Sequence, residues 1–179
     1  MAQPLIPLYI LGILQRYGPQ HGYQIKKVIG EQLSDFTQIK LPAIYYHLEK
    51  MQKEGLLEAG NEKPDSRPEK TIYSVTNKGV EYFMQILVNL LEFDYRPSFS
   101  SDGVFFFSDY LQVDMITEKL EIYIEKLQTI LQSLQKHWDE TVQFVPPEMR
   151  TMVDVIFSHH MKHYKAELDW AAETLQSLK

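Results

Sequence analysis

Cysteine is absent from all 179 residues. That excludes disulfides and thiol catalysis, although it identifies no compartment. Long apolar runs are missing as well. The longest, around Leu5 to Leu14, is interrupted by Pro7 and Gly12 and is too short to cross a bilayer. The amino terminus has no basic leader and no small-residue cleavage pattern, so the expected location is the cytoplasm. There is no glycine-rich phosphate loop, no nucleophile elbow and no pair of carboxylates at a strand end. No enzyme activity and no cofactor is therefore expected. Excess basic charge is also lacking: 18 Lys and Arg stand against 24 Asp and Glu, a net charge of -6. This argues against a chain that binds nucleic acid over its whole surface.

At 44% hydrophobic and 23% charged residues, the composition is that of a globular chain of one domain or two small ones. Its charge is unevenly spread. Residues 1–92 carry 10 basic and 10 acidic side chains, and residues 93–179 carry 8 and 14. The second half thus supplies the whole deficit. Residues 1–57 are net positive, with 6 basic against 4 acidic. A modest basic surface is enough for DNA if it lies on the correct face.

Hydrophobic spacing predicts a buried helix over Leu5–Tyr17, stopped by Gly18-Pro19. A second helix opens at His21-Gly22-Tyr23, with Ile25, Val28, Ile29 and Leu33 on one face. A third opens at Leu41 or Pro42 and ends at Gly55. Two short strands follow, Leu56–Ala59 and Thr71–Val75, around a polar loop from Gly60 to Lys70. Thr76 can cap a fourth helix that repeats Val80, Phe83, Leu87, Leu90 and Leu91. Three helices, two strands around a loop, then a helix is the order of a winged helix-turn-helix.

Residues 93–101 read as a linker, and Gly103–Leu111 as a short aromatic helix. Ile116, Leu120, Tyr123, Leu127, Ile130, Leu134 and His137/Trp138 then alternate steps of four and three, a heptad seam. Pro146-Pro147 ends that helix. A last one, Glu148–Leu178, has the stripe Met152, Ile156, Tyr164, Leu168, Ala171 and Leu175. Seams this long ask for a partner chain, so a homodimer is expected. The expected fold is mostly α with a small two-stranded wing. A DNA-binding domain occupies residues 1–92, a linker 93–101, and a helical dimerisation domain 102–179.

The third helix has two faces. Ile44, Leu48 and Met51 make a narrow apolar stripe, while Lys40, Ala43, Tyr46, His47 and Lys50 make an aromatic and basic face. A helix with such a face suits the major groove, where its amino-terminal side chains approach base edges. Lys40 and Lys50 can neutralise phosphates. Tyr46 and His47 can donate to bases or phosphates, and Ala43 can touch a thymine methyl. Tyr45 lies between the two faces and is open to core packing, a phosphate contact or both.

Tyr23 stands at the start of the second helix, whose amides can meet a phosphate. In the loop between the strands, Lys63, Arg67 and Lys70 are offset by Glu62, Asp65 and Glu69. Arg67 stands out as a DNA contact there, with Lys70 secondary. His159, His163 and Glu167 fall one helical turn apart. Three ligands in a line on one helix rarely close around an ion, so no metal is expected.

The stretches "ILGILQRYGPQHGYQIKKVI", "AIYYHLEKMQKEGLL" and "KTIYSVTNKG", followed by a long helical tail, resemble the PadR family of bacterial transcriptional regulators. The resemblance is carried by Gly12, Leu14, His21-Gly22-Tyr23, Tyr45, Leu48, Gly55-Leu56 and Tyr73-Val75-Thr76-Gly79, and more loosely by "DGVFFFSDYL" in the tail. It implies a winged-helix dimer that represses transcription from an inverted-repeat operator and answers to a small molecule. Pro42 departs from the small residue usual in the family. Having no N–H, it cannot give a backbone amide to phosphate. In relatives that respond to drugs or phenols, ligands enter cavities near the dimer interface. This points to the rings of Phe99, Phe105, Phe106, Phe107, Tyr110, Trp138 and Trp170, with Phe99, Phe106, Tyr110, Trp138 and Trp170 foremost, as walls for a flat aromatic effector. Core packing competes for each of these rings. A competing function is a coiled-coil adaptor whose winged helix binds protein rather than DNA.

Overall fold

The computed structural model describes residues 5–62, 70–93 and 95–179, with backbone only at 61, 62 and 70. The chain divides into two compact units, Met1–Arg96 and Pro97–Lys179.

The first unit begins with α1 (Leu5–Tyr17), which buries Pro7, Ile10, Leu11, Ile13 and Leu14. Gly18 ends it at φ +79, a left-handed conformation that glycine adopts without a Cβ penalty. Helix α2 (Gly22–Gln32) starts where the Gln24 side chain accepts a hydrogen bond from the His21 amide at 3.1 Å. Helix α3 (Leu41–Lys53) has Pro42 in its first turn, where a missing N–H leaves nothing unpaired. Its carboxyl end closes on Gly55 at φ +73, with Leu56 N donating to Met51 O at 2.9 Å and Gly55 N to Gln52 O at 3.0 Å. These two bonds satisfy carbonyls that the helix would otherwise leave open.

Strands β1 (Leu57–Glu62) and β2 (Lys70–Val75) pair antiparallel, from Leu57 opposite Val75 to Glu62 opposite Lys70. Strand β1 therefore runs past Gly60 and Asn61, which the sequence places in the loop. Ile72 and Thr71 of the β-branched partner strand hold those two in register. Gln20 adds a bridge that the sequence does not announce: its amide donates to Tyr73 O at 3.1 Å, and Tyr73 N donates back at 2.9 Å. Local pattern cannot reveal a one-residue strand whose partner is more than 50 positions away.

Helix α4 (Asn77–Leu90) is capped by Thr76 as expected, its Oγ1 accepting from Gly79 N at 3.1 Å. The same hydroxyl donates to Gly55 O at 2.8 Å and ties the helix start to the end of α3. The expected apolar stripe is only partly buried. Val80, Leu87 and Leu91 are exposed, while Gly79 and Ile86 are buried. Gly79 sits against the Leu56 carbonyl, and Phe83 packs on Gly12. Those close approaches rotate the 79/83/86 face inward. The unit's core joins Ile10, Leu11, Leu14, Ile25, Ile29, Ile44, Leu48, Met51, Leu57 and Tyr73.

The second unit holds α5 (Ser101–Phe106), a 3-10 turn (Ser108–Tyr110), α6 (Val113–Phe144) and α7 (Pro147–Leu178). The aromatic helix expected over 103–111 is thus broken at Phe107. Helices α6 and α7 form an antiparallel hairpin. Three side-chain bonds along its length set that sense: Trp138 to Asp154, Tyr123 to Glu167, and Lys179 to Glu121.

Two sequence expectations need correction. Ile116, Leu120, Leu127 and Leu134 of the α6 seam are buried within the single chain, opposite a helix that buries Phe157, Met161 and Ala171. The seam as a whole therefore does not require a second chain, although Ile130 remains 39% exposed. On α7, Met152 and Ile156 are exposed, and the buried row begins instead at Phe157 and Met161. From there Tyr164, Leu168, Ala171 and Leu175 continue in steps of three and four. The expected stripe began one residue early because an apolar pattern does not say which of two neighbouring rows a partner helix will cover.

Candidate nucleic-acid interface and ligand pocket

Helix α3 keeps its two faces in three dimensions. Ile44, Leu48 and Met51 are at most 1% exposed, so one side is locked into the core. Lys40, Tyr46 and Lys50 are exposed on the other side, and His47 is half-buried. The Tyr46 and His47 rings meet edge to face at 5.1 Å. Ala43 is half-buried and rests partly on the core, which limits how far its methyl can reach. Lys50 lies 3.9 Å from Glu54 one turn on, an exposed pair that is worth little and is easily exchanged for a phosphate.

Burial and the nearby Lys50 ammonium hold the His47 imidazole below the usual histidine range, against a smaller opposite pull from Glu54. A neutral ring of this kind offers one donor and one acceptor.

Tyr45 packs against the fold and also reaches solvent. Its ring covers Gly22 at the start of α2, where an added Cβ would come within 2.7 Å of the ring. The residue still keeps 40% of its surface in solvent. Tyr23, on the same end of α2, is 66% exposed. Lys26 was not marked as a contact by sequence, yet it joins Lys40, Ser34 and Thr37 around a hollow of about 310 Å³ at the α2–α3 turn. Two basic and two hydroxyl-bearing residues thus line one hollow. Spacing alone did not show it, because the turn that brings Lys40 back toward α2 is tertiary. Arg67 and Lys63 lie outside the described residues, and of Lys70 only the backbone is described, at the first position of β2.

A separate pocket of about 750 Å³ lies wholly in the second unit. Phe99 and Trp170, both expected from sequence, line it. Phe106, Tyr110 and Trp138 do not. Phe106 and Tyr110 are 79% and 81% exposed. Trp138 instead stacks on Phe157 with ring centroids 5.9 Å apart and planes parallel, its indole N–H donating to Asp154 at 2.8 Å. Phe106 follows the pocket-lining Phe105 at the end of α5, and Tyr110 ends the 3-10 turn. The rings that do wall the pocket include Phe105, set edge to face against Trp170 at 5.8 Å. Polar atoms enter through Lys119, Tyr123 and Glu167. Apolar walls with a few convergent polar groups are the usual form of a small-molecule site, and this volume suits a ligand of one or two rings.

His159 and His163 are exposed on α7 and approach each other with Nε2 to Nε2 at 3.1 Å. Among the described residues, no group of three or more His, Asp or Glu side chains converges as a metal site. Among them too, no helix is long and apolar enough to cross a membrane.

A winged helix-turn-helix with an outward basic and aromatic α3 is followed by a helical unit that holds its own pocket. Residues 10–85 match the family model described as "Transcriptional regulator PadR-like family". Bacillus subtilis PadR in complex with operator DNA superposes with a TM-score of 0.76 at 20% identity, covering 98% of this chain and 99% of that one. The same Bacillus subtilis protein with p-coumaric acid gives 0.69 at 19% identity, over 99% and 97%. The Vibrio cholerae virulence activator AphA gives 0.70 at 18% identity, over 97% of each chain. At such identities these likenesses establish the fold. A comparison with curated proteins finds no significant match.

Proposed function

We propose that this chain is a cytoplasmic homodimer that represses transcription by occupying an inverted-repeat operator, and that a small aromatic effector releases it. The observation that carries the reading is the two-faced α3: one face is fully buried, and the other holds Lys40, Tyr46, His47 and Lys50 outward at the helix-turn-helix. In this reading residues 1–92 are the DNA-binding head and residues 102–179 the dimerising helical domain, joined through 93–101. Tyr23, Tyr45 and Lys26 anchor phosphates beside α3, Ala43 and Tyr46 face base edges, and His47 reaches a base edge or a phosphate. Arg67 and Lys70 reach the backbone from the wing. Two heads then address successive major grooves, with half-sites about 10 bp apart.

The fold that Bacillus subtilis PadR presents on operator DNA is the fold of this chain, which supports DNA as the partner. That protein's complex with p-coumaric acid supports an aromatic effector, and the pocket around Phe99, Phe105 and Trp170 is the place for one here. The effector releases DNA only through its preference for a DNA-incompetent state of the dimer. AphA, of the same fold, is described as an activator, so repression is the finer part of this proposal.

Titration of the protein with DNA from upstream of its own gene tests the reading. Affinity should fall with salt, with a slope near -5 in log K against log salt if about 6 phosphates are neutralised. Binding that is indifferent to salt, or to the joint loss of His47 and Lys50, would move the protein-binding adaptor ahead.

A further inference from the structure

We propose that His159 and His163 form a two-histidine chelate for a divalent transition metal ion on α7. The two residues are one turn apart, which sets their side chains on the same helix face. What the sequence cannot give is the ring orientation. In the structure the two rings are nearly perpendicular, with centroids 4.6 Å apart and Nε2 atoms 3.1 Å apart. Without metal, that spacing accommodates an N–H···N hydrogen bond between one protonated and one unprotonated nitrogen. It is also the spacing of neighbouring ligands on one ion. With metal–nitrogen bonds of about 2.0–2.1 Å, two ligands lie about 2.9 Å apart at a right angle and about 3.3 Å apart at a tetrahedral one. The separation of the two nitrogens is therefore already that of two ligands on one ion.

The surroundings fit such an ion. The pair opens on a hollow of about 330 Å³, lined also by His160, Tyr164, Tyr123, Leu127 and Glu167. Glu167, a further turn along α7, accepts a hydrogen bond from the Tyr123 hydroxyl at 3.0 Å. That bond anchors a carboxylate beside the chelate, where it supplies negative charge and can accept a hydrogen bond from metal-bound water. With two protein nitrogens and the other positions left to water, the site is open rather than closed. Imidazole ligands without thiolate favour Zn²⁺, Ni²⁺ and Cu²⁺ over Mg²⁺ or Ca²⁺. Tyr123 and Glu167 also line the aromatic pocket, so an ion here would sit one hydrogen bond away from the site proposed for the effector.

Isothermal titration of the full-length chain with Zn²⁺ at neutral pH tests the chelate, without reference to DNA or effector. One ion should bind per chain, and the double variant His159→Ala/His163→Ala should lose that binding. Both histidines are exposed, so the double variant keeps its fold, which circular dichroism verifies. His160→Ala should retain the ion, and Glu167→Gln should weaken it by about tenfold. Cu²⁺ loaded at the same stoichiometry should show coupling to two imidazole nitrogens by electron paramagnetic resonance. The proposal is overturned if the native chain takes up no Zn²⁺, if the double variant binds it as well as the native chain, or if only one nitrogen couples to Cu²⁺. Each outcome leaves the DNA-binding reading unaffected, since that reading rests on α3.

Discussion

The Tyr123 hydroxyl donates to Glu167 Oε1 at 3.0 Å, and this one bond joins α6 to α7 as part of the wall of two separate hollows. Burial, the hydrogen bond and the carboxylate charge together push the phenol up to about 12. The folded state thus holds the Tyr123 proton more tightly than the unfolded chain does. Its contribution to stability is complete below the ordinary tyrosine value of 10.0 and is lost as pH rises through about 12. Tyrosinate absorbance followed from pH 9 to about 12.5 should show a late-titrating tyrosine that disappears in Tyr123→Phe. Equal titration curves for the two proteins would refute the coupling.

Leu48 and Lys50 lie two positions apart on α3 and should answer to different measurements. Leu48 is fully buried, and Leu48→Ala should cost about 2–5 kcal/mol through the cavity it leaves. Lys50→Ala and Tyr46→Ala should change stability by less than about 0.5 kcal/mol, yet weaken operator binding. The loss at Lys50 should be uniform across DNA sequences, while the loss at Tyr46 should also relax sequence preference. Thermal melts and operator titrations of the three variants separate the faces.

His47 should make operator binding depend on pH. Its folded value is held below the ordinary histidine value of 6.5 by burial and Lys50. The folded state resists the proton, so this group's contribution to stability is present above 6.5 and fades as pH falls through the depressed value. A phosphate close to the ring reverses that pull. DNA binding should therefore take up a proton and tighten as pH falls, over and above any effect of the other histidines. The pH profile of His47→Gln should be flatter than that of the native chain. Parallel profiles would place His47 away from the phosphates.

Leu127 and Met152 distinguish the hairpin from the dimer. Leu127 is 2% exposed between α6 and α7 of one chain, and Leu127→Asp should destabilise the helical unit by about 4 kcal/mol or more. Met152 and Val155 are 66% and 58% exposed, with Met149 and Ile156 beside them on α7. An apolar row of this kind in solvent is suited to a second copy of the chain. Met152→Asp/Val155→Asp should leave helicity intact and shift sedimentation toward monomer. If dimer persists, the copies meet elsewhere, for instance on the exposed α4 ridge of Val80, Leu87 and Leu91.

Gly79 tests the joint between the wing and α4. A Cβ there would meet the Leu56 carbonyl, and Val75 Cγ1 at 2.8 Å. Because one neighbour is backbone, the clash cannot be relieved by a side-chain turn. Gly79→Ala should cost about 1–3 kcal/mol in chemical denaturation. Gly30→Ala, with nothing within 4 Å of its added carbon, is the control and should be neutral or stabilising.

Local chemistry alone determined much of this protein. Gly18-Pro19, Pro42, Gly55 and Thr76 place helix ends by backbone rules that need no distant partner, and the bounds of α1 and α3 follow. The stripe Ile44, Leu48, Met51 needs only the helical period, so the outward set around Lys50 was legible with it. Only the tertiary structure decided which of two adjacent apolar rows is covered. It chose Gly79, Phe83 and Ile86 over Val80 and Leu87 on α4, and Phe157 and Met161 over Met152 and Ile156 on α7. The reason is that a helix turns about 100° per residue, so neighbouring rows are nearly equivalent until a partner surface selects one. The same holds for the Gln20 bridge to Tyr73, the pocket that gathers Phe99 and Trp170 but omits Trp138, and the meeting of two imidazole nitrogens on α7. Backbone spacing brings such side chains into reach, but their rotamers and partners are set by contacts between elements.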